Sequence, residues 1–129
     1  MAVHSLRFSE ERGQVLEAVE VARKAVEAAS EKQASDIVLL DTRESCSFAD
    51  YFVICSGESK RQLEAIWGEI SQVLKREGVK PHHCEGTADS GWVLLDFGDV
   101  IIHIFAPVER EFYQLDRLWS TAVPLLRIQ

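Results

Sequence analysis

The sequence has few cysteines, and their spacing argues against the usual cysteine-based sites. Only three occur, Cys46, Cys55 and Cys84, and no two of them form a CxxC pair. An odd, widely spaced set is typical of reduced thiols in a cytosol rather than of a disulfide framework or a zinc finger. No apolar run approaches the roughly 20 residues of a membrane span, and the first residues lack the hydrophobic segment of a secretory signal. We therefore expect a cytoplasmic protein with no membrane association.

Basic residues are absent from one long window of the chain. The formal net charge is −7, and no Lys or Arg occurs between Lys80 and Arg110. The acidic residues in this window are Glu85, Asp89, Asp96, Asp99 and Glu109. Such a charge argues against a non-specific nucleic-acid binder, whose affinity comes mainly from Lys and Arg on phosphates. A negative field favours a basic protein partner instead, unless basic side chains of the helices fold over it.

Two stretches have the three- and four-residue apolar spacing of amphipathic helices. The first predicts an N-terminal helix over about 9–33, with Ser9 as its N-cap. The second predicts a helix after Ser59, which forms a capping-box pattern with Gln62. This helix should end at Gly78, where a left-handed cap is expected.

The end of the chain predicts one more helix and an apolar tail. Pro107 should begin the helix, because proline is favoured in the first turn. Its apolar residues in register are Val108, Phe112, Leu115 and Leu118. The tail, residues 120–129, is apolar and interrupted by Pro124. We expect it either to pack on the body or to form a contact between two copies of the chain, as in a homodimer.

Strand patterns between the helices predict a single α/β domain over residues 1–129. The strands are expected at Asp36–Asp41, at Tyr51–Gly57, in an edge segment from Pro81, and on either side of Gly98. The order of elements indicates a mixed sheet of about five strands with helices on at least one face. A chain of this length can bury a core without disulfides.

The stretch GWVLLDFGDVIIHIF, residues 91–105, predicts a hairpin with a two-residue loop at Phe97-Gly98. The cross-strand pairs expected from that loop are Trp92–His103, Leu94–Ile101 and Asp96–Asp99. Period-two alternation then separates two faces. The wholly apolar face, which belongs under a helix, carries Val93, Leu95, Val100, Ile102 and Ile104.

The other face of this hairpin mixes aromatic, aliphatic and acidic residues. It carries Trp92, Leu94, Asp96, Asp99, Ile101 and His103. A large aromatic side chain beside aliphatics and acids is typical of a protein-binding surface, since Trp is enriched among interface hot spots. Alternatively, the acids only flank a turn while Trp92 packs against a neighbouring loop. Composition alone leaves both interpretations open.

The HHC triplet is the one pattern that invites a metal. In a strand only His82 and Cys84 share a face, with His83 opposite. A zinc site would therefore need a distant ligand such as His103 or Cys55. Because the sequence has no second closely spaced pair of ligands, we predict neither a metal site nor a cofactor.

Several segments together resemble the ribosomal silencing factor family, also called Iojap. The segments are ADYFVICSGES-RQ at 49–62, EG at 85–86, GWVLLDFGDVIIHIF at 91–105 and EREFYQLDRLW at 109–119. The resemblance covers about residues 35–119 and keeps both order and spacing. It implies a nucleotidyltransferase-like fold and a non-enzymatic translation factor without catalytic residues.

The resemblance also implies a partner and a mode of action. Family members bind the large ribosomal subunit through its basic ribosomal protein fourteen. They occupy a surface that must meet the small subunit, so that the subunits cannot join and translation is repressed. Direct sequence-specific contact with nucleic acid is not expected.

Carried over by position, the resemblance assigns partner-binding roles on the hairpin. Trp92 is the expected anchor, Leu94 and Phe97 surround it, and Asp96 and Asp99 are its charged partners. Tyr113, Leu118 and Trp119 also match, but helical spacing favours packing roles for them. The alternatives are a metal-dependent nucleotidyltransferase-like enzyme and an adaptor for another basic protein.

Overall fold

The computed structural model describes residues 6–9, 14–118 and 121–129. Within these ranges the elements are, in chain order, β1 (Leu6–Ser9), β2 (Gln14–Glu17), α1 (Ala18–Glu31), β3 (Ser35–Asp41), β4 (Tyr51–Ser56), α2 (Lys60–Arg76), β5 (His83–Thr87), β6 (Trp92–Asp96), β7 (Val100–Phe105), α3 (Pro107–Tyr113), α4 (Leu115–Leu118) and β8 (Val123–Ile128). No helix in the described part of the chain is both long and apolar enough to cross a membrane.

The main sheet is mixed, as predicted, and has the strand order β5-β6-β7-β4-β3-β8. Only the β4–β7 pair is parallel; every other neighbour in this sheet runs antiparallel. The sheet has six strands rather than about five because the apolar tail pairs with β3 as β8. The tail therefore packs on the body of the protein, which was one of the two expectations for it.

One face of the sheet lies under α1 and α2 and forms the larger core. The five residues predicted for the apolar hairpin face, Val93, Leu95, Val100, Ile102 and Ile104, are all fully buried in it. The helices contribute small and aliphatic side chains, among them Ala22, Ala25, Leu63 and Ile66. This part of the hairpin prediction is confirmed.

The N-terminal helix is shorter than the sequence pattern indicated. It begins at Ala18, whereas Ser9, the expected N-cap, lies in β1 and pairs with Gln14 of β2. The helix starts where the side chain of Glu20 accepts a hydrogen bond from the backbone N–H of Glu17, at 3.3 Å. The predicted span of 9–33 is wrong at its beginning because the segment before residue 18 pairs as a β-ribbon.

The second helix begins and ends as predicted. The Ser59 hydroxyl accepts a hydrogen bond from the Gln62 backbone N–H at 3.1 Å. The Gln62 side chain in turn accepts from the Glu58 backbone N–H at 2.6 Å. At the other end, Gly78 has φ 78°, the left-handed conformation expected of the cap. These signals are local, which explains why the sequence locates this helix well.

The last predicted helix is divided in two, and its apolar residues are not all packed. α3 ends at Tyr113, the next residue, Gln114, has φ 46°, and α4 follows. Val108 and Phe112 are 75% and 77% exposed, so the apolar residues in register on the predicted helix do not share one buried face. Leu115 is buried. Trp119 and the side chain of Leu118 lie outside the described residues.

Candidate protein-binding surface

The β6–β7 hairpin has a different register from the one predicted. The observed pairs are Trp92–Phe105, Leu94–His103 and Asp96–Ile101. The register differs by two residues because the loop consists of Gly98-Asp99, closed by a hydrogen bond from the Phe97 N–H to the Val100 carbonyl at 2.9 Å. A two-residue shift leaves the side chains of the two strands, β6 and β7, on their predicted faces, since side chains alternate with a period of two.

The turn geometry explains this register and the position of Asp99. Gly98 has φ 89°, which glycine adopts readily at the first position of a hairpin loop. Its N–H donates to the Asp96 carboxylate at 2.7 Å. The carbonyl of Asp99 accepts hydrogen bonds from the N–H groups of Asp50 and Tyr51, at 2.7 and 3.1 Å. Asp99 thus lies in the turn, and its predicted position opposite Asp96 is wrong.

Phe97 is the clearest correction to the predicted binding residues. It is only 1% exposed and belongs to the core beneath the helices, on the opposite side of the sheet from Trp92. The prediction that it surrounds Trp92 is therefore wrong. Leu94 and Asp96 are half-buried and share the Trp92 face, as predicted.

Trp92 lies half-buried among other aromatic side chains. Its ring centroid lies 4.4 Å from that of Tyr113 and 5.0 Å from that of Phe105. The indole Nε1–H donates to Nδ1 of His103 at 3.1 Å. Because its ring lies against other rings and its N–H has an acceptor, the side chain is held in one orientation without being fully covered.

These contacts extend into a continuous row of rings across the face of the sheet. The aromatic row consists of Phe112, Tyr113, Trp92, His103, Phe52 and Phe48. Successive ring centroids in it lie between 4.4 and 6.3 Å apart. Phe112, Phe48 and Tyr113 are 77%, 64% and 40% exposed. An exposed apolar surface of this kind is a recognised mark of a protein-interaction site.

Acidic side chains border the aromatic row on one side. Edge strand β5 places His83 opposite Asp96 and Glu85 opposite Leu94. Nε2 of His83 lies 2.8 Å from the Glu85 carboxylate. A cavity lies on this face of the sheet, and no Lys or Arg is among the residues that line it. The side chains around this cavity are therefore not neutralised by a basic residue that lines it. Asp89, farther along the chain, is paired with Lys60 at 3.0 Å.

A shallow cavity of about 430 Å³ lies on this face of the sheet. Its lining comes from the loop before β4, from the four strands β4, β5, β6 and β7, and from α4. The residues are Phe48, Phe52, His83, Glu85, Trp92, Leu94, Asp96, Ile101, His103 and Leu115. Most of them are apolar, and the carboxylates of Glu85 and Asp96 are the acidic groups among them. The cavity is large enough to receive one or two side chains of a protein partner.

The HHC triplet does not gather into a ligand cluster. His83 faces the cavity with Glu85, while Cys84 pairs with Leu95 and points to the other side of the edge strand. In the described ranges, no three His, Cys, Asp or Glu residues are grouped as a metal site. Burial raises the pKa of the Cys55 thiol to about 12, so that Cys55 stays protonated and behaves as a small core residue.

Besides Phe112, sequence reasoning missed three residues of the aromatic row. Phe48 and Phe52 enter it because β4 lies beside β7, a crossover in strand order that no local pattern predicts. Tyr113, for which a packing role was expected, packs on Trp92 but stays exposed and so joins the surface. A signal was available for Phe48, since it is a lone aromatic residue in an otherwise polar connection.

Comparison with known proteins identifies the family. The family described as "Ribosomal silencing factor during starvation" matches residues 15–129. The chain belongs to the ribosomal silencing factor family. It is 38% identical to ribosomal silencing factor RsfS of Halalkalibacterium halodurans over 80% of this chain and 88% of that protein. It is 41% identical to RsfS of Bacillus subtilis over 76% of this chain and 83% of that protein.

A solved structure supports the same family assignment. A crystal structure of a protein from Chromobacterium violaceum has a TM-score of 0.78 and 33% identity to this chain, covering 81% of it and 88% of the other. The family match also includes α1 and β8, beyond the residues 35–119 on which the sequence resemblance rests. As a member of the ribosomal silencing factor family, the protein belongs to a family of regulatory proteins.

Proposed function

We propose that this protein binds the large ribosomal subunit through the aromatic row and its acidic border. Its contact there is the basic ribosomal protein fourteen of that subunit. The bound factor blocks joining of the small subunit and so represses translation. The role is one of binding, with no catalytic step.

The composition of the surface carries this proposal. Trp92, held by its ring contacts and its hydrogen bond to His103, is the anchor, and Leu94 extends the apolar area beside it. Asp96 and Glu85 supply negative charge at the border. Large aromatic anchors provide most of the energy at protein interfaces, while border charges select the partner and speed association. A basic ribosomal protein suits both features.

Exposure of the row supports an external partner rather than an internal one. Phe112 and Val108 belong to α3, a helix with no buried residue. Side chains of this kind at the surface have an unfavourable contact with water, which a partner would relieve. We infer that α3 contributes directly to the interface and that Asp99, which lies in the turn, contributes less than Asp96.

Sedimentation of ribosomal particles tests the proposal. The purified protein should co-sediment with free large subunits, and added small subunits should then form fewer complete ribosomes. Trp92→Ala and Asp96→Arg should each weaken binding while the circular-dichroism spectrum stays that of the folded protein. Binding by both variants at the wild-type level would show that the contact surface lies elsewhere.

A charge reversal on the opposite side of the molecule provides the matched control. Glu64 is exposed on α2, which covers the other face of the sheet. Glu64→Arg changes the net charge by the same amount as Asp96→Arg but leaves the aromatic row untouched. It should bind large subunits like the wild type; equal loss in both variants would indicate a non-specific charge effect.

A further inference from the structure

His103 differs from the other residues of the aromatic row in being almost completely buried. It is 5% exposed, and it lies on β7 between Leu94 of β6 and Ile54 of β4. Its ring contacts those of Phe52, Trp92 and Phe105, at centroid distances of 5.2, 5.9 and 6.1 Å. A polar ring in such surroundings needs partners for both of its nitrogens.

The hydrogen bond from Trp92 decides which nitrogen of His103 carries the proton. An indole N–H can only donate, so Nδ1 of His103 must accept and cannot be protonated. Burial lowers the pKa of His103 to about 4, which keeps the ring neutral at neutral pH. A neutral imidazole with an unprotonated Nδ1 carries its hydrogen on Nε2. Trp92 therefore fixes His103 as a donor through Nε2.

That donor is left without a partner. Nε2 is enclosed by protein, yet it forms no hydrogen bond within the described residues. His103 lines the cavity together with Phe48, Phe52, Trp92, Leu94 and Ile101. A buried N–H without an acceptor is unfavourable and is rare in folded proteins. An acceptor that enters this cavity would relieve it once the side chains that enclose Nε2 have moved aside.

The charges around the cavity restrict what that acceptor can be. Asp96 and Glu85 stand at the same cavity, and both repel a carboxylate. An uncharged oxygen has no such penalty. Resting on the function proposed above, we propose that the Nε2–H of His103 binds an uncharged oxygen, carbonyl or hydroxyl, that the ribosomal protein partner inserts into the cavity beside Trp92.

Two substitutions separate this donor role from the support that His103 gives to Trp92. In His103→Asn the side-chain oxygen can take the place of Nδ1 and accept from the indole, but nothing replaces Nε2. In His103→Gln an amide NH₂ can take the place of Nε2, whereas the acceptor for Trp92 is lost. The indole N–H resonance of Trp92 in a ¹H–¹⁵N spectrum shows whether its hydrogen bond persists.

The two variants should separate affinity for the large subunit from the hydrogen bond of the Trp92 indole. His103→Asn should keep the Trp92 resonance near its wild-type position and bind purified large subunits about tenfold more weakly, the usual effect of one lost hydrogen bond in an interface. His103→Gln should shift the Trp92 resonance and keep more of the affinity than a variant without a donor, His103→Leu. Wild-type affinity in His103→Asn would overturn the inference.

A measurement on the free wild-type protein tests the same inference without any variant. Long-range ¹H–¹⁵N spectra of the histidines should show Nε2 of His103 protonated and Nδ1 unprotonated at neutral pH. The opposite tautomer, or a charged ring, would refute the donor role. If the wild-type protein does not bind large subunits, the proposed function is wrong as well. If it binds and His103→Asn binds equally well, only the inference about His103 is wrong.

Discussion

Tyr113 packs on Trp92 with ring centroids 4.4 Å apart, and this contact joins α3 to the central sheet. Phe112 meets the edge of Tyr113 at 5.0 Å and continues the aromatic row into solvent. A helix with no buried residue is thus held beside the sheet through Tyr113 while it presents Phe112 outward. The position of Phe112 depends on Tyr113 and Trp92, so the three side chains form one surface.

Phe112→Ala should weaken binding to large subunits without changing stability. The side chain is 77% exposed, so its removal should change the free energy of unfolding by no more than about 0.5 kcal/mol. An exposed aromatic residue that becomes covered in a complex commonly contributes more than about 1 kcal/mol, or about fivefold in affinity. Urea denaturation and subunit binding measure the two effects.

Val123→Ala is the control for that variant. Val123 is 57% exposed but lies in β8, at the other end of the sheet from β5. It should leave binding unchanged. Equal losses for Phe112→Ala and Val123→Ala would mean that the assay responds to general surface hydrophobicity rather than to the aromatic row.

Asp96→Asn should separate the charge of Asp96 from its role in the turn. The asparagine oxygen can still accept the Gly98 N–H, so stability should stay within about 0.5 kcal/mol of the wild type. Asp96→Ala removes the acceptor as well and should cost about 1 kcal/mol. Both should bind large subunits more weakly, with a shallower dependence on salt, because the lost term is electrostatic. An unchanged salt dependence would argue against Asp96 as a charge partner.

The stability of the folded protein should decrease as the pH is lowered, because His103 is buried in its neutral form. Its pKa is lowered from 6.5 to about 4 in the folded protein. Above pH 6.5 neither state is protonated at this site, and the residue has no effect. As the pH falls from 6.5 towards about 4, only the unfolded chain takes up the proton. The free energy of unfolding should then decrease by about 1.4 kcal/mol per pH unit.

Urea denaturation at several pH values measures this slope, and His103→Asn provides its reference. The variant has no titrating group at the position, so its stability should change less with pH over the same interval. Parallel curves for wild type and His103→Asn would show that His103 titrates normally in the folded protein. In that case His103 would be more open to water than its 5% exposure indicates.

Gly86→Ala should destabilise the edge strand that carries Glu85. Gly86 has φ 83°, which non-glycine residues rarely adopt, and a Cβ there would clash with the carbonyl oxygen of Trp92. Strain of this kind costs on the order of 1–3 kcal/mol. Thermal denaturation should show a lower Tm, and binding should weaken because β5 no longer holds Glu85 beside Leu94.

Gly68→Ala is the matched control for this substitution. Gly68 lies inside α2, and a Cβ at that position meets nothing within 4 Å. Alanine is favoured over glycine in a helix interior by about 1 kcal/mol, so this variant should have a higher Tm than the wild type. A Tm for Gly86→Ala at or above the wild-type value would mean that β5 adapts without strain.

Local signals account for the parts of the fold that the sequence predicted. The start of α2 is fixed by Ser59 and Gln62, three residues apart, and its end by Gly78, so that neighbours along the chain suffice. The two faces of the hairpin were predicted correctly even though the register was wrong. A shift of two residues moves a strand along its partner without turning it over.

The errors concern features that depend on what lies beside an element. The pattern of Val108, Phe112 and Leu115 predicts an apolar side but does not say what covers it, and in the structure only Leu115 is buried. Phe97 was assigned to the binding face by the family resemblance, as part of the surround of Trp92. The tighter turn at Gly98-Asp99 returns Phe97 to the hairpin, where it alternates onto the core side.

The sequence by itself determined the family, the α/β class, the apolar face of the hairpin and the absence of Lys and Arg between residues 80 and 110. These depend on residue types and on short spacings, which folding leaves unchanged. Only the tertiary structure decided that β4 lies beside β7, and therefore that Phe52 and Phe48 stand next to His103 and Trp92. Strand order comes from the packing of distant segments, whose loop-closure and burial energies no local pattern contains.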